Sequence, residues 1–399
     1  MRPLFFFFLV FGIFGPKLEA QEVSNMINPQ VERLLSSEDF PDRKQAVWSV
    51  DKTILQDGMQ AGVELITIDN GHMKIVIVPT RGMSIYRVSS DATSLGWNSP
   101  VKQIVHPQFV DLNDHGGLGW LAGFNEMMVR CGVEFAGHPG EDDGKMLTLH
   151  GRIGNIPATQ VEVSVDDQAP HRIRVRGTVE EKRFKFGVFD LETEISTLPG
   201  SREFSVKDRL VNRSEYAKEY QIIYHSNFGR PILQAGAKFL APVASVAPFD
   251  EYAAKDLDTF PVYLGPTKGY GEQVYCMQLY ADERDRTAVA LINEEASQGV
   301  CLSYDTSTLP FFTLWKNTDT ETDGYVTGLE PGTGYPFNRS VEREEGRVPQ
   351  LEPGGDVTFQ LNFELLENAK DVESARLAIE KITGNKKATV HDQPPRKVK

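Results

Sequence analysis

The amino-acid sequence predicts a mainly β fold, a large antiparallel β-sandwich with few peripheral helices. Roughly a dozen β-rich runs follow one another along the chain, most of them separated by clusters of Gly, Pro, Asn or Asp. No helical patterns alternate with these runs, which argues against a parallel sheet with crossover helices. No fixed-period repeat is visible either, so a propeller is not expected.

The strand pattern begins near residue 50. Residues 63–68 are β-rich and residues 73–78 alternate in hydrophobicity, and the turn signal Asp69-Asn70-Gly71 between them predicts a hairpin. Unusually long connections, such as 91–160 and 241–272, often carry functional residues. The other predicted strands are 161–165, 172–179, 183–195, 203–211, 219–224, 274–280, 287–292, 300–304, 311–315 and 357–365.

One firm helical pattern follows the predicted sandwich, which we assign to residues 50–366. Residues 371–382 carry apolar side chains near a 3.6-residue spacing, and Gly384 is a stop signal, which predicts a helix within 367–384. The polar tail after it, 385–399, contains two prolines and is expected to be flexible.

The first 20 residues have the features of a secretory signal peptide. A positive start at Arg2 is followed by a Phe-rich apolar run over 4–14, by Pro16 and by a small residue, Ala20. The run is short for a transmembrane helix, so no stable membrane insertion is expected, with a retained anchor as the alternative. We therefore expect cleavage near Ala20 and a periplasmic or secreted protein.

Residues 21–49 are predicted to form a polar N-terminal extension. Within it, Val31, Leu34 and Leu35 have the spacing of a short helix, which Pro41 would close.

Composition and charge exclude several functions. The chain of 399 residues is 40% hydrophobic, and 42 Lys and Arg stand against 56 Asp and Glu, a net charge of −14. Nucleic acid is not an expected partner, because phosphate binding needs clustered cations.

Cys131, Cys276 and Cys301 lack CxxC spacing, so no metal site is expected. We expect three buried thiols, with a Cys276–Cys301 disulfide as the alternative.

Two histidines stand out as candidate site residues. His150 lies with Arg152 between glycines in LHGRIGN, 149–155, where two donors on an extended segment suit recognition of hydroxyls. The alternative is an incidental pair on a surface loop. His225 ends a hydrophobic strand, and a strand end holds a side chain as rigidly as proton transfer requires. The alternative there is a core histidine with satisfied hydrogen bonds.

Glu330 is the candidate carboxylate. It ends a short apolar stretch immediately before a Pro/Gly-rich turn, where partial burial would raise the pKa of the carboxyl group toward a working value. The alternative is a solvated turn residue. The sequence contains no GxSxG, HExxH, Walker or dinucleotide-binding motif.

Together these segments resemble the aldose 1-epimerase, or galactose mutarotase-like, superfamily, and more narrowly its DUF4432 branch. The resemblance spans residues 50–366 and implies the supersandwich form of the β-sandwich. It rests on PTRGMSI at 79–85, Cys131-Gly132, LHGR at 149–152, YHSNFG at 224–229, LEPGTGYPFNR at 329–339 and LEPGG at 351–355.

The resemblance also implies roles for individual residues. His225 matches the general acid and Glu330 the general base, and His150 matches a histidine that binds the sugar near its ring oxygen. Arg81 is the best match to a binding arginine, with Arg152 as the alternative. The implied substrate-binding set is His150, Arg81, Arg152 and Asn227.

The implied reaction interconverts sugar anomers. Glu330 would remove the proton of the C1 hydroxyl while His225 protonates the ring oxygen, and the opened ring would close on its other face. Such acid–base catalysis needs no cofactor, and none is expected. The expected partner is a sugar or glycoside, and His150 should converge with the acid–base pair on one face. The alternatives are a carbohydrate-binding protein without turnover, or a lyase or hydrolase of modified glycosides that uses the same pair.

Overall fold

The computed structural model describes residues 31–40 and 46–396. It is mostly strand, and the predicted mainly β, antiparallel sandwich with few helices is confirmed. The predicted signal peptide lies outside the described residues. Within these two ranges, no helix combines the length and the apolar character needed to span a membrane.

The strands follow one another in short steps along the chain. They are β1 (Val31–Ser36), β2 (Ser49–Ile54), β3 (Glu64–Asp69), β4 (Met73–Val78), β5 (Ser84–Ser90), β6 (Ser94–Leu95), β7 (Met128–Val133), β8 (Gly140–Asp142), β9 (Lys145–Leu147), β10 (Thr159–Val165), β11 (Ile173–Lys182), β12 (Val188–Thr197), β13 (Glu203–Asn212), β14 (Lys218–Glu219), β15 (Gln221–Phe228), β16 (Lys238–Leu240), β17 (Val243–Pro248), β18 (Gln273–Leu279), β19 (Arg286–Ile292), β20 (Gly299–Asp305), β21 (Phe311–Thr318), β22 (Tyr325–Gly332), β23 (Gln350–Leu351), β24 (Asp356–Leu366) and β25 (Thr389–Val390). The helices are α1 (Asp114–Gly117), α2 (Arg339–Glu344) and α3 (Ala369–Thr383).

Two large sheets carry the fold. The first has the order β1-β2-β3-β4-β5-β7-β15-β22-β21-β18-β17-β25, with β6 paired to β5, and the second has the order β10-β11-β12-β13-β24-β20-β19-β16. Their neighbouring strands run antiparallel, except for the parallel pair of β17 and β25. The central strands of the first sheet, β7, β15, β22, β21 and β18, are far apart in sequence, so this sheet brings distant segments side by side.

The main core lies between the two sheets. Alternate residues of each central strand point into it: on β15, Tyr224 is fully buried in this core, and its hydroxyl donates to Asp208 of the second sheet at 2.7 Å. Because successive side chains of a strand point to opposite faces, His225 lies on the outer face of the first sheet. That face is itself covered, since every residue of β15 is buried.

Helix α3 packs against the second sheet from outside the main core. Val372, Ala375 and Ile379 form a separate buried cluster with residues of β19. The Asn368 side chain caps the first turn by accepting from the backbone N–H groups of Lys370 and Asp371. The helix predicted for the C-terminal region is therefore present, and it ends before Gly384 as the sequence indicates.

The secondary structure differs from the sequence-based prediction in the first and last described segments of the chain. Residues 31–36 form strand β1 rather than the predicted short helix, because they pair antiparallel with β2 and extend the first sheet. In the tail that the sequence describes as flexible, β25 pairs with β17, and the Tyr280 hydroxyl donates to the carbonyl of Lys387 at 2.9 Å.

All three cysteines are free thiols. Cys131 and Cys276 are buried, and burial raises the pKa of each thiol well above its ordinary value. Cys301 is only partly buried, so the expectation of three buried thiols is correct for two of them. Its burial still raises the pKa of the Cys301 thiol to about 12.

Candidate functional site

A row of side chains crosses the outer face of the first sheet at its centre. Ser226 of β15 lies opposite Leu329 of β22, so the preceding residue, His225, lies opposite Glu330. Glu330 in turn lies opposite Thr313 of β21. The antiparallel register therefore places His225 and Glu330 side by side, although more than a hundred residues separate them in sequence.

His225 and Glu330 form a close buried pair. Nε2 of His225 is 3.2 Å from Oε1 of Glu330, and the two residues are 5% and 2% exposed. Burial lowers the pKa of His225 to about 4 and raises the pKa of Glu330 well above its ordinary value, the latter with a contribution from the charge of Glu272. Because burial disfavours both charged forms, it favours the state in which the proton that the two groups can exchange is on Glu330 and His225 is neutral.

Asn227 fixes the tautomer of the His225 ring. Its side-chain nitrogen donates to two carbonyl groups, those of Glu126 at 3.0 Å and His225 at 3.2 Å, so its oxygen Oδ1 is the atom that faces the ring. Oδ1 is 2.6 Å from Nδ1 of His225 and can only accept. Nδ1 therefore carries the hydrogen, and Nε2, the nitrogen nearer Glu330, carries the lone pair.

His150 approaches the pair from a turn with left-handed backbone. His150 has φ 58° and Gly151 φ 71°, and a Cβ at position 151 would lie 2.2 Å from the Phe135 carbonyl oxygen. A side chain other than hydrogen is therefore excluded at Gly151, while His150 accepts an uncommon conformation. The ring centroids of His150 and His225 are 5.5 Å apart. Burial lowers the pKa of His150 well below its ordinary value.

The three residues line a cavity of about 240 Å³. This volume is smaller than the roughly 300–1,000 Å³ typical of sites for drug-sized ligands, so the cavity fits a small molecule. Trp120, Phe124 and Trp315 form aromatic walls, and the rings of Phe124 and Trp315 lie 5.2 and 5.3 Å from the His225 ring. Trp120 is carried by the 3₁₀ turn Gly119–Gly123, which covers the outer face of the sheet.

Four residues that line this cavity have a buried polar atom without a hydrogen-bond partner in the described part of the chain. The atoms are Nε1 of Trp120, Nδ1 of His150, Oγ1 of Thr313 and Oε1 of Glu330. The contact of Glu330 with His225 is short but lacks hydrogen-bond geometry. A buried polar atom without a partner costs stability, about 1–3 kcal/mol each. Such atoms are retained where a ligand supplies the missing partners.

Gly328 leaves the space that the Glu330 carboxylate occupies. It lies two residues before Glu330 on β22 and opposite Trp315 of β21. A Cβ at this position would lie 2.3 Å from Oε1 of Glu330 and 3.2 Å from Cε3 of Trp315. The absence of a side chain at residue 328 thus sets the position of the carboxylate.

The two arginines predicted to bind substrate do not line this cavity. Arg81 is 1% exposed, and its guanidinium donates to Oε1 of Glu126 at 2.6 Å, to Asn155 Oδ1 at 3.0 Å and to the carbonyls of Val105 and Gly123. Its donors are consumed inside the protein. Arg152 lines a different cavity, on the side of Phe186. Asn227 is also fully buried behind His225, where it positions the ring instead of meeting a ligand.

Other cavity residues were not identified from the sequence. Glu272 lies at the cavity, where its Oε2 accepts from Nε1 of Trp315 at 2.9 Å, and His138 lies near it. The alternation within the predicted strand 311–315 places Thr313 and Trp315 on one face, but the sequence does not indicate that this face meets His225. Across residues 31–40 and 46–396, no group of three or more His, Cys, Asp or Glu side chains is arranged to hold a metal ion.

The chain is similar to one protein family and to several solved structures. A family model described as a domain of unknown function, DUF4432, matches residues 60–365. No curated protein matches the chain. A crystal structure from Klebsiella pneumoniae, provisionally described as an aldose 1-epimerase, is 43% identical, with a TM-score of 0.88 over 92% of this chain and 99% of the other.

More distant structures share the fold. A galactose mutarotase-like protein from Clostridium acetobutylicum is 13% identical, with a TM-score of 0.53 over 80% of this chain and 98% of the other. A galactose 1-epimerase from Lactobacillus acidophilus is 12% identical, with a TM-score of 0.52 over 80% of this chain and 99% of the other.

Proposed function

Because the chain belongs to the DUF4432 family of the aldose 1-epimerase superfamily, we propose that it interconverts the anomers of a free sugar, with His225 and Glu330 as its acid–base pair. The observation that carries the proposal is the 3.2 Å approach of these two buried groups at the floor of a cavity sized for a small molecule. Proton transfer requires donor and acceptor within such reach of the reacting atoms.

The proton balance of the pair suits this reaction. To open the ring, one group gives a proton to the ring oxygen while the C1–O5 bond breaks, and the other takes the proton of the C1 hydroxyl. A pair that holds one proton before the step therefore holds one proton after it, on the other member. Closure of the ring on the opposite face of C1 reverses the two transfers and restores the starting state.

His225 is the acid in the first step and Glu330 the base. The neutral resting pair reaches this state when the proton of Glu330 moves to the lone pair of Nε2, 3.2 Å away, after a small rotation of the side chains brings the two groups into hydrogen-bond geometry. Asn227 keeps the hydrogen of the neutral ring on Nδ1 and therefore keeps the lone pair on Nε2. Hydrogen bonds from a bound sugar to the carboxylate favour its charged form, so ligand binding promotes the transfer.

The rest of the cavity supports a sugar as ligand. A pyranose has apolar ring faces and a rim of hydroxyl groups. The faces can pack on Trp120, Phe124 or Trp315, and the hydroxyl groups can pair with the atoms of His150 and Thr313 that lack partners.

We further propose that the protein acts outside the cytoplasm. The support is the signal-peptide pattern of residues 1–20, with its small residue at Ala20. Mass spectrometry of the protein from its native host should find an N-terminus near Gln21. An intact Met1 would contradict export by cleavage.

The catalytic proposal is tested by Glu330→Gln and His225→Asn. Each variant keeps the approximate size of the side chain but removes proton transfer, and loss of one acid or base lowers a rate by about 10²–10⁴-fold. The readout is anomer exchange in a panel of free sugars, measured by NMR above the spontaneous rate, with sugar binding measured by calorimetry.

Glu283→Gln is a matched control, because it removes an exposed carboxylate that lies outside the cavity. We expect full turnover in the control and residual binding in both site variants. Binding without turnover in the unmodified protein would instead establish a carbohydrate-binding protein. Unchanged turnover in Glu330→Gln would refute the proposed pair.

A further inference from the structure

The one charged side chain among the residues that line the cavity is negative. Glu272 is an exposed carboxylate, burial favours the neutral form of Glu330, and none of the described Lys or Arg residues lines the cavity. Burial lowers the pKa of His138, His150 and His225, so these rings are neutral near pH 7. The cavity therefore has no positive group for a phosphate or carboxylate of a ligand.

The nearby arginines do not alter this charge balance. Arg81 directs its donors into the protein interior, and Arg152 lines another cavity. Arg396 acts on His138 electrostatically, but its guanidinium lies over the Phe337 ring and not at the cavity lining.

Glu272 is the charged group at the solvent-exposed end of the cavity. Glu272 is exposed, whereas Glu330 is buried. Its Oε2 is held by Nε1 of Trp315 at 2.9 Å, and its Oε1 has no partner in the described part of the chain. The charge of Glu272 contributes to the raised pKa of Glu330, so its field extends to the catalytic pair. The adjacent indole ring of Trp315 is a surface that also attracts cations.

We propose that the substrate is a free sugar without an anionic group, and that Glu272 makes the cavity prefer an amino sugar to its neutral counterpart. This inference rests on the proposed function and names the substrate class of the same site. A protonated amine would pair with Oε1 of Glu272 while the anomeric carbon lies at His225 and Glu330.

The preference for amino sugars and the discrimination against anionic sugars should differ in size. An ion pair at a solvent-exposed position is weak, so the preference for an amino sugar should be roughly two- to fivefold. A phosphate or uronate would enter a cavity that is lined by Glu272 and by none of the described Lys or Arg residues. No opposite charge would offset the desolvation of the anion, so discrimination against anions should exceed about tenfold.

The test compares matched sugars at pH 6.5, where the amine is protonated. The pairs are glucosamine with glucose and galactosamine with galactose, and the anionic probes are glucuronate and glucose 6-phosphate. We expect kcat/KM for anomer exchange to be highest for the amino sugars and lowest for the anions. Glu272→Gln should bring the ratio of amino to neutral sugar close to one and reduce discrimination against anions. Glu283→Gln, with the same change in net charge, should leave both ratios as they are.

Two results would overturn the inference: an anionic sugar turned over as well as its neutral counterpart, or ratios that Glu272→Gln leaves unchanged. Calorimetry with the same panel separates this inference from the proposed reaction. If no sugar is turned over but binding follows the same order and responds to Glu272→Gln, the anomer exchange fails and the ligand class stands.

Discussion

At the scale of single residues, the His225–Glu330 pair predicts the pH dependence of the reaction. The active state holds one proton. Below pH about 4 a second proton is added, because burial lowers the pKa of His225 to about 4, and kcat/KM should fall. At high pH the last proton leaves Glu330, and since burial raises the pKa of this carboxyl, the fall should come well above the ordinary range of Glu. The pH profile of kcat/KM checks both limbs.

Asn227→Asp should move the acid limb of that profile to higher pH. Oδ1 of Asn227 is 2.6 Å from Nδ1 of His225. The Asp carboxylate would place a negative charge at this position, which stabilises the protonated ring and so raises the pKa of His225. Asn98→Asp is the control, because it introduces the same charge at an exposed position. An acid limb that stays at the same pH in Asn227→Asp would show that Asn227 does not act on the histidine.

At the scale of elements, strand β22 positions the carboxylate through a missing side chain. Gly328→Ala would place a Cβ 2.3 Å from Oε1 of Glu330, so the carboxylate must move. A displacement near 1 Å can lower a rate about 10²-fold. The free energy of unfolding should fall by no more than about 1–3 kcal/mol, because crowding against Glu330 and Trp315 is partly offset by the better strand propensity of Ala. Kinetics and urea unfolding measured on one sample check both statements.

Gly265→Ala is the matched control for this substitution. The Cβ added there meets only the Cβ of Ala235, at an ordinary 3.4 Å, and Gly265 lies outside the cavity. Its activity should equal that of the unmodified protein. An active Gly328→Ala variant would mean that the carboxylate position tolerates the shift.

The sequence predicted about half of the strands, and it misread β1 as a helix. It missed β5 and β22, and it described as long connections the segments 91–160 and 241–272, which contain β7 and β17. Alternating apolar residues bounded by turn signals identified β3 and β4, because a hairpin is a local pattern. The apolar spacing at Val31, Leu34 and Leu35 suggested a helix, yet this segment forms β1. Pairing with β2 decided the outcome, and a six-residue pattern does not reveal such a partner.

At the scale of the whole molecule, a buried ion pair joins the two sheets. Arg130 of β7 and Asp208 of β13 have fully buried side chains, and Nη2 of Arg130 donates to Oδ1 of Asp208 at 2.9 Å. Asp208→Ala leaves a buried arginine unpaired and should lower the free energy of unfolding by about 3–5 kcal/mol. Asp356→Ala breaks a solvent-exposed pair with Arg209 and should lower the free energy of unfolding far less, because solvent screens such a pair. Urea unfolding of both variants tests the difference, and equal losses would contradict a special role of the inter-sheet pair.

The tertiary fold explains which site residues could be predicted from the sequence and which could not. His225 and Glu330 each lie in a recognisable segment, and the resemblance to a known superfamily linked the two. Arg81 lies in such a segment as well, but its direction depends on Glu126 and on carbonyls that only the folded chain brings to it. Glu272 carries no local signal, because its place in the site depends on the pairing of β18 with β21.

The catalytic groups lie on the strands of the sheet, whereas part of the cavity wall lies on the connections between strands. This separation affects how substrate specificity can change. The proton-transferring groups lie on strands whose register is fixed by backbone hydrogen bonds, whereas Trp120, Phe124 and His138 come from the two connections that flank β7, residues 96–127 and 134–139. Insertions or replacements in these connections would reshape the cavity wall without shifting the register of β15 and β22. Natural variation or directed engineering could thus change which sugar is accepted while the proton chemistry is inherited unaltered.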